Sequence, residues 1–417
     1  MVIRTADIVI IGSGASGAAI AWNLSKAGFK IVCLEQGPWM QPKMYPTAQN
    51  NWEFQSSTSA AYDPNIRKLE QDYPINDSQS DITPLMFNAV GGSTIHWTAH
   101  SPRFHPSDFR VKSLDGVADD WPISYEDLEQ YYDLNDHMMG CSGINGDPAN
   151  PERKQRPMPP LPLGPDGERM ANAFDELGWH WWPSDSYVNS TPYMGRSACN
   201  NCGPNGLGCY QKAKGSTDVT YWPEAIKNGV ELRTNCRVFE ITTGPNKLVT
   251  GVRYYGPDKK EHFQPASSVV MATNGIGTPR LLLLSKSDEH PNGLGNSSNL
   301  IGKNLMFHPY AIITGIFSDN IPPTYKGPLG NILLSQEFYE TDPQRDFVRG
   351  YTYQINRSSG PARTAIGLAA PMVPWGKAHH ESFSKRFANS TLLAVIGEDL
   401  PEESNKVDLD PELRDSS

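Results

Sequence analysis

The segment ADIVIIGSGASGAAIAWNLSKAGFKIVCLEQG, from Ala6 to Gly37, leaves little freedom in how this chain begins to fold. Asp7 to Ile11 is an apolar, β-branched run that reads as a buried strand, and Ala18 to Lys26 has helical periodicity. Lys30 to Leu34 reads as a second strand ending at Glu35. Between the first strand and the helix lies GSGASG. In a strand–turn–helix of this kind Gly12 makes the tight turn, Gly14 lets backbone approach a pyrophosphate, and Gly17 allows helix and strand to pack closely. The pyrophosphate then sits at the helix N-terminus, where unpaired N–H groups and the dipole favour negative charge. Glu35 stands about 20 residues further on, placed to accept hydrogen bonds from ribose hydroxyls. Gly12, Gly14, Ala15, Gly17 and Glu35 are therefore candidate dinucleotide ligands. The turn alone does not distinguish FAD from NAD, since both carry a pyrophosphate and an adenosine ribose.

The 417 residues suffice for two or three domains of about 150 residues. No window approaches the roughly eighteen consecutive apolar residues of a membrane span, so a soluble product without a transmembrane segment is expected. The first strand begins so near Met1 that no secretory leader fits, which makes the cytoplasm the default address. Export with a partner that carries a signal stays open. The net charge of −10 comes without a basic block, so no nucleic-acid partner is expected. In a reducing compartment the sequons at Asn189, Asn356 and Asn389 carry no meaning.

Residues 40–85 are polar and dotted with proline, as for a long excursion over the surface or towards a neighbour. A helix is predicted over Glu126 to Met139, capped by Ser124, and residues 148–195 read as irregular covering structure. Regular pattern resumes at Lys214, with a helix through Tyr221 to Lys227, a strand at Val230 to Thr234 and an antiparallel hairpin in VFEITTGPNKLVTGVRYYG. Ser268 to Ala272 is a further buried strand, running into a second glycine turn at Gly275 and Gly277 and a helix from about Thr278. That unit either brings a second helix N-terminus to a long flavin dinucleotide or is one more βα repeat of the sheet. From Pro309 onward YAIITGIF, GNILLSQEFY and TLLAVIGED read as strands of a separate antiparallel layer.

GSGASG with Glu35, VGGST, NGIGTPRLLLLS and IGKNLMFHP occur in the order found in the glucose-methanol-choline (GMC) flavin oxidoreductases, and the resemblance runs from about residue 5 to the end. Within that family the chain resembles the sugar and polyol members, namely the gluconate 2-dehydrogenase flavoprotein subunit and pyranose 2-oxidase. The resemblance implies bound FAD and oxidation of an alcohol or sugar CH–OH group by hydride transfer. It implies an α/β fold in which a split Rossmann-like FAD-binding domain, residues 1–120 and 196–308, carries a β-rich (α+β) substrate or cap domain, residues 121–195 and 309–417.

By the same resemblance Gly91 and Gly92 lie over the pyrophosphate and flavin edge, and Ser93 and Thr94 donate to the cofactor. Val238, in the segment from Cys236, belongs to a strand whose backbone meets the adenine, while Ala272, Gly275 and Gly277 pack near the flavin. His96, fourth after the glycine pair, corresponds to the histidine that some members bond to the flavin 8α-methyl; the alternative is an unlinked imidazole packed against the ring. The family's catalytic histidine falls in a segment beyond Ser417, so the cap domain is expected to be C-terminally incomplete and no catalytic residue is assigned. His308, a lone histidine before proline, reads as structural.

Cys199, Cys202 and Cys209 share one glycine-rich loop. Three thiolates fall short of the usual four, so reduced cysteines or a local disulfide stand beside a three-iron cluster, and no metal ligand is assigned. Cys33 reads as a reduced core residue. Two further functional readings remain: a flavin-binding, truncated or partner-dependent subunit without catalysis of its own, and an NAD-dependent dehydrogenase. The electron acceptor is not specified, and a homo-oligomer or a complex with an electron-transfer subunit is compatible with the chain.

Overall fold

The computed structural model describes residues 5–56, 58–146, 148–319, 321–322, 324–328, 332–366 and 373–415. Gly330 and Asn331 of the predicted strand, and the outermost residues of both predicted domains, lie outside them. Among the described residues the strands are β1 (Ala6–Ile11), β2 (Ile31–Leu34), β3 (Trp182–Pro183), β4 (Glu231–Arg233), β5 (Arg237–Thr243), β6 (Val249–Tyr255), β7 (Glu261–Met271), β8 (Tyr310–Ile316), β9 (Leu333–Ser335), β10 (Tyr351–Asn356) and β11 (Ser390–Gly397). They form a six-stranded sheet in the order β4-β2-β1-β7-β6-β5 and a five-stranded sheet in the order β3-β9-β10-β11-β8.

The first sheet explains the apolar runs of the N-terminal unit. β1 lies between parallel neighbours, pairing Ile8 with Ile31 and Ile11 with Leu34 on one edge and Ile11 with Met271 on the other. Covered on both faces, such strands carry continuous apolar sequence rather than alternation. The crossover helix Ala15–Ser25 turns Gly17, Ala18, Ala21 and Trp22 inward. β7 is longer than the predicted Ser268–Ala272 strand. Glu261 to Pro265 pair antiparallel with β6, and Ala266 to Met271 pair parallel with β1, so hairpin and parallel sheet share one strand.

The segment 121–195 differs from expectation in two ways. The helix Tyr125–Met139 forms with Ser124 and Asp127 as a reciprocal capping box, but Met138, Met139, Tyr187 and Val188 join the core cluster of Ile8, Ile10 and Ala18. Residues 164–177, read as irregular, form a 14-residue helix with Pro165 in its first turn and Gly178 at φ +72° after its end. Proline and glycine suggested irregular chain, whereas here they mark the two ends of a helix. Met170, Ala171 and Phe174 are its apolar stripe and pack with Leu333 and Ile355 of the second sheet.

The second sheet is antiparallel, with β10 registered on β11 from Tyr351–Gly397 to Asn356–Leu392. Among the described residues no helix is long and apolar enough to cross a membrane. Two of the sequons are buried: Asn189 donates its side-chain amide to the carbonyls of Arg196 and Ser197, and Asn389 to that of Ser384.

Candidate functional site

The first glycine turn forms one wall of a cavity of about 340 Å³. Gly12 has φ +93°, and a Cβ there would lie 2.5 Å from the Ala272 carbonyl oxygen, so the ends of β1 and β7 meet with no room for a side chain. A Cβ on Gly17 would run into the carbonyl of Gly12, which is the close helix–strand packing its motif position calls for. Gly14 caps the helix Ala15–Ser25 without any side-chain cap, and Ala15 and Ser16 line the cavity. The first turn of a helix has N–H groups without intrahelical partners, and these carry the positive end of its dipole.

Glu35 closes the adjacent wall, 5% exposed. Ser13 donates to its Oε2 from both backbone N–H (2.9 Å) and hydroxyl (2.7 Å), and the Gly37 N–H donates to Oε1 at 2.8 Å. Burial pushes the carboxyl pKa up, and these donors oppose the shift. A carboxylate offers about four acceptor sites, so capacity remains for hydroxyl donors from the cavity. Ser13, between two glycines of the motif, carries no sequence signal of its own for this contact with Glu35, which lies 22 residues away.

The opposite wall is the loop Gly91–His96. The Gly91 N–H donates to the Ser13 carbonyl at 3.1 Å, and the indole of the fully buried Trp222 donates to the same oxygen at 2.8 Å. Gly92, at φ +53°, sits against Gly14: a Cβ on Gly92 would lie 2.8 Å from the Gly14 Cα. Gly92, Ser93 and Thr94 line the cavity, whereas Gly91 backs onto Asp218. The Thr94 hydroxyl donates to the Gly91 carbonyl and accepts from the Thr217 N–H, and Ser93 Oγ accepts from the Phe87 N–H. These bonds of Thr94 and Ser93 shape the loop.

His96 is not among the residues lining the cavity. Its ring stacks on Phe87 with centroids 4.0 Å apart and meets Tyr62 edge-on, and its Nδ1 is buried without a hydrogen-bond partner. Burial, with the charges of Lys214 and Arg67, pushes its pKa down to about 3, so the ring is neutral. Phe87, against which the imidazole stacks, does line the cavity.

Val238, Cys236 and Ala272 line the remaining wall. The second glycine turn is absent as a turn: the helix Asn274–Leu284 starts before both glycines, because Asn274, at φ +64°, accepts the N–H groups of Ile276 and Gly277 on its own side chain. Gly277 lines the cavity and Gly275 does not. Arg280 brings a positive charge, stacked over Tyr73 at 4.4 Å. Tyr73 arrives from the excursion 40–85, which Arg67 pins by hydrogen bonds to Asp72 (2.9 Å) and to the carbonyls of Ala61 and Met86. That anchoring has no periodic signal in the sequence.

Among the described residues no histidine lines the cavity, and the exposed His308 approaches the Gly397 carbonyl at 3.1 Å. All six cysteines are free thiols, Cys33 is buried in the core, and no three His, Cys, Asp or Glu residues among those described gather as metal ligands.

The cavity suits a dinucleotide: a glycine floor, an open helix N-terminus and a buried carboxylate facing one another. Comparison with known proteins agrees. A GMC oxidoreductase model matches residues 164–310, and an NAD(P)-binding Rossmann-like model matches residues 10–69. The 2-methyl-1,2-propanediol dehydrogenase of Mycolicibacterium austroafricanum is 43% identical over 99% of this chain and 75% of its own length. The fructose dehydrogenase large subunit of Gluconobacter japonicus is 29% identical, over 99% of this chain and 78% of its own. The crystal structure of pyridoxine 4-oxidase from Mesorbium loti superposes with a TM-score of 0.59 at 16% identity, over 94% of this chain and 71% of that one, a likeness of fold.

The chain belongs to the GMC oxidoreductase family. It is an FAD-dependent oxidoreductase acting on a CH–OH group of a sugar, polyol or other alcohol. The NAD-dependent and non-catalytic readings are not favoured, since these relatives are named as dehydrogenases and oxidases of alcohols and sugars.

Proposed function

We propose that this chain is a dehydrogenase of short-chain diols and similar small alcohols, with FAD held non-covalently between the Gly12–Gly17 turn and the Gly91–Thr94 loop. The observation that carries the reading is 43% identity over 99% of the chain to a 2-methyl-1,2-propanediol dehydrogenase.

In this reading the N–H groups at Ala15 and Ser16 hold the pyrophosphate, and Glu35 accepts from the adenosine ribose. Cys236 and Val238 border the adenine, and Arg280 adds positive charge beside Tyr73. Bound FAD supplies the hydride acceptor for the alcohol carbon. Gly92 and Ser93 present backbone without bulk to that end of the site, and Phe87 shields it from water with His96 stacked behind. Residues 1–120 and 196–308 supply the FAD-binding body, to which the helix Tyr125–Met139 also contributes core. Residues 309–397 supply most of the second sheet, which we assign to the substrate side. One relative is named a large subunit, which supports a partner subunit as electron acceptor.

The test is anaerobic reduction of the FAD-loaded protein by 2-methyl-1,2-propanediol, fructose, gluconate and methanol. Fastest bleaching of the flavin by the diol is expected. Bleaching by fructose or gluconate at equal or greater rate would overturn the substrate assignment.

A further inference from the structure

Lys214 has a place in this site that neither its sequence context nor the family assignment gives it. It is 1% exposed, and its ammonium donates to three backbone carbonyls: Ile95 at 2.6 Å, Asn205 at 2.7 Å and Trp97 at 2.9 Å. An ammonium has three N–H donors and an amine two, so this arrangement uses the full capacity of the charged form. Burial works against that charge and lowers the pKa to about 7, while Cys209 and Asp218 raise it.

The bonds are not scattered. Ile95 and Trp97 continue the loop whose Gly92, Ser93 and Thr94 line the cavity, and Asn205 lies in the cysteine loop. Asn205 itself donates to the Thr98 carbonyl at 2.8 Å. Gly206 presses on the same loop, since a Cβ there would lie 2.8 Å from Tyr62 Oη and 3.5 Å from the His96 carbonyl. The segment 205–217 therefore grips 94–98 at several points, with Lys214 at the centre. A loop with two adjacent glycines at positive φ has wide conformational freedom when unliganded. Something must restrict it if the cofactor is to meet a formed wall.

We propose that Lys214 is a positioning residue for the flavin, fixing the 91–98 loop in its cofactor-binding shape by bridging the carbonyls of Ile95, Trp97 and Asn205. Preorganisation of this kind raises affinity by removing the ordering cost from the binding step. The inference rests on FAD binding at this cavity. Colourless wild-type protein after FAD addition would therefore sink that reading, whereas the variants below test Lys214.

FAD titration by flavin fluorescence should give a Kd at least tenfold weaker for Lys214→Met than for wild type, with Lys214→Gln, which keeps two N–H donors, intermediate. The control is Lys212→Met on the exposed neighbouring lysine, with no change expected. Apo unfolding in denaturant separates the roles. Weakened FAD binding in variants whose folded apo population is intact supports positioning. An unchanged Kd in either folded Lys214 variant overturns it. Should neither variant fold, hydrogen exchange on wild type decides: amides of 93–98 already protected without FAD support the proposal, and protection appearing only with FAD overturns it.

Discussion

Gly14 and Gly92, 78 positions apart, touch backbone to backbone: a Cβ on Gly92 would fall 2.8 Å from the Gly14 Cα, and Gly92 is the nearest neighbour of a Cβ on Gly14, at 3.9 Å. Two glycine motifs with no sequence connection thus form facing walls of one cavity.

Gly92→Ala should weaken FAD binding at least tenfold. The alanine carries about 1–2 kcal/mol of strain at φ +53°, and its methyl meets Gly14, so the two walls move apart. Gly14→Val should abolish the yellow colour by filling the space between them. Visible absorption after gel filtration in excess FAD checks both, and a fully yellow Gly14→Val protein would refute the slot.

The Glu35→Gln substitution keeps shape but turns an acceptor into a partial donor facing the Ser13 N–H and hydroxyl. Leaving a buried donor unpaired costs about 1–3 kcal/mol. The expected result is an FAD Kd raised about tenfold or more, with a lowered apo unfolding midpoint. Equal affinity in the Glu35→Gln and wild-type proteins would remove Glu35 from the site.

Trp222→Phe removes the indole donor to the Ser13 carbonyl while keeping most of the buried ring. Chemical denaturation of the apo protein should show a loss of about 1 kcal/mol. Because that carbonyl also accepts from Gly91, a measurable loss of FAD affinity should accompany it.

His96 is buried and His100 half-buried, and burial pushes both pKa values down to about 3. A base depressed in the folded state contributes stability above its unfolded value, near 6.5, and loses it as pH falls towards the folded value. At about pH 5.5 each histidine should cost about 1.4 kcal/mol relative to neutral pH. His96→Phe, which keeps the stack on Phe87, should flatten the fall in apo melting temperature between pH 6.5 and 5.5. Acid precipitation of the wild-type holoprotein should release free FAD, since the imidazole is committed to that stack. Flavin retained in the pellet would show the covalent bond instead.

The N-terminal βαβ unit was legible in the sequence because its signals are local: a strand pattern, glycines whose spacing matches a turn, and an acid at the end of the next strand. The hidden parts of the site depend on distant partners. Nothing in KAKGS says that Lys214 reaches the carbonyls of Ile95 and Trp97, and nothing near Arg67 says that it pins the segment delivering Tyr73. The helix Gly164–Leu177 was obscured by the proline and glycine that bound it. His96 has a spacing from Gly92 that matches a family pattern, but spacing alone does not report that its ring stacks on Phe87.

The strand β7 has a bearing on how this protein could be re-engineered. Its first five residues are registered against β6 and its last six against β1, ending where Ala272 closes over Gly12. A one-residue insertion within it reverses which face each downstream side chain presents. The β5–β6 hairpin is therefore no detachable ornament: a chimera that imports another hairpin must import all of Glu261–Met271, and with it the strand that sets Ala272 in the cavity wall.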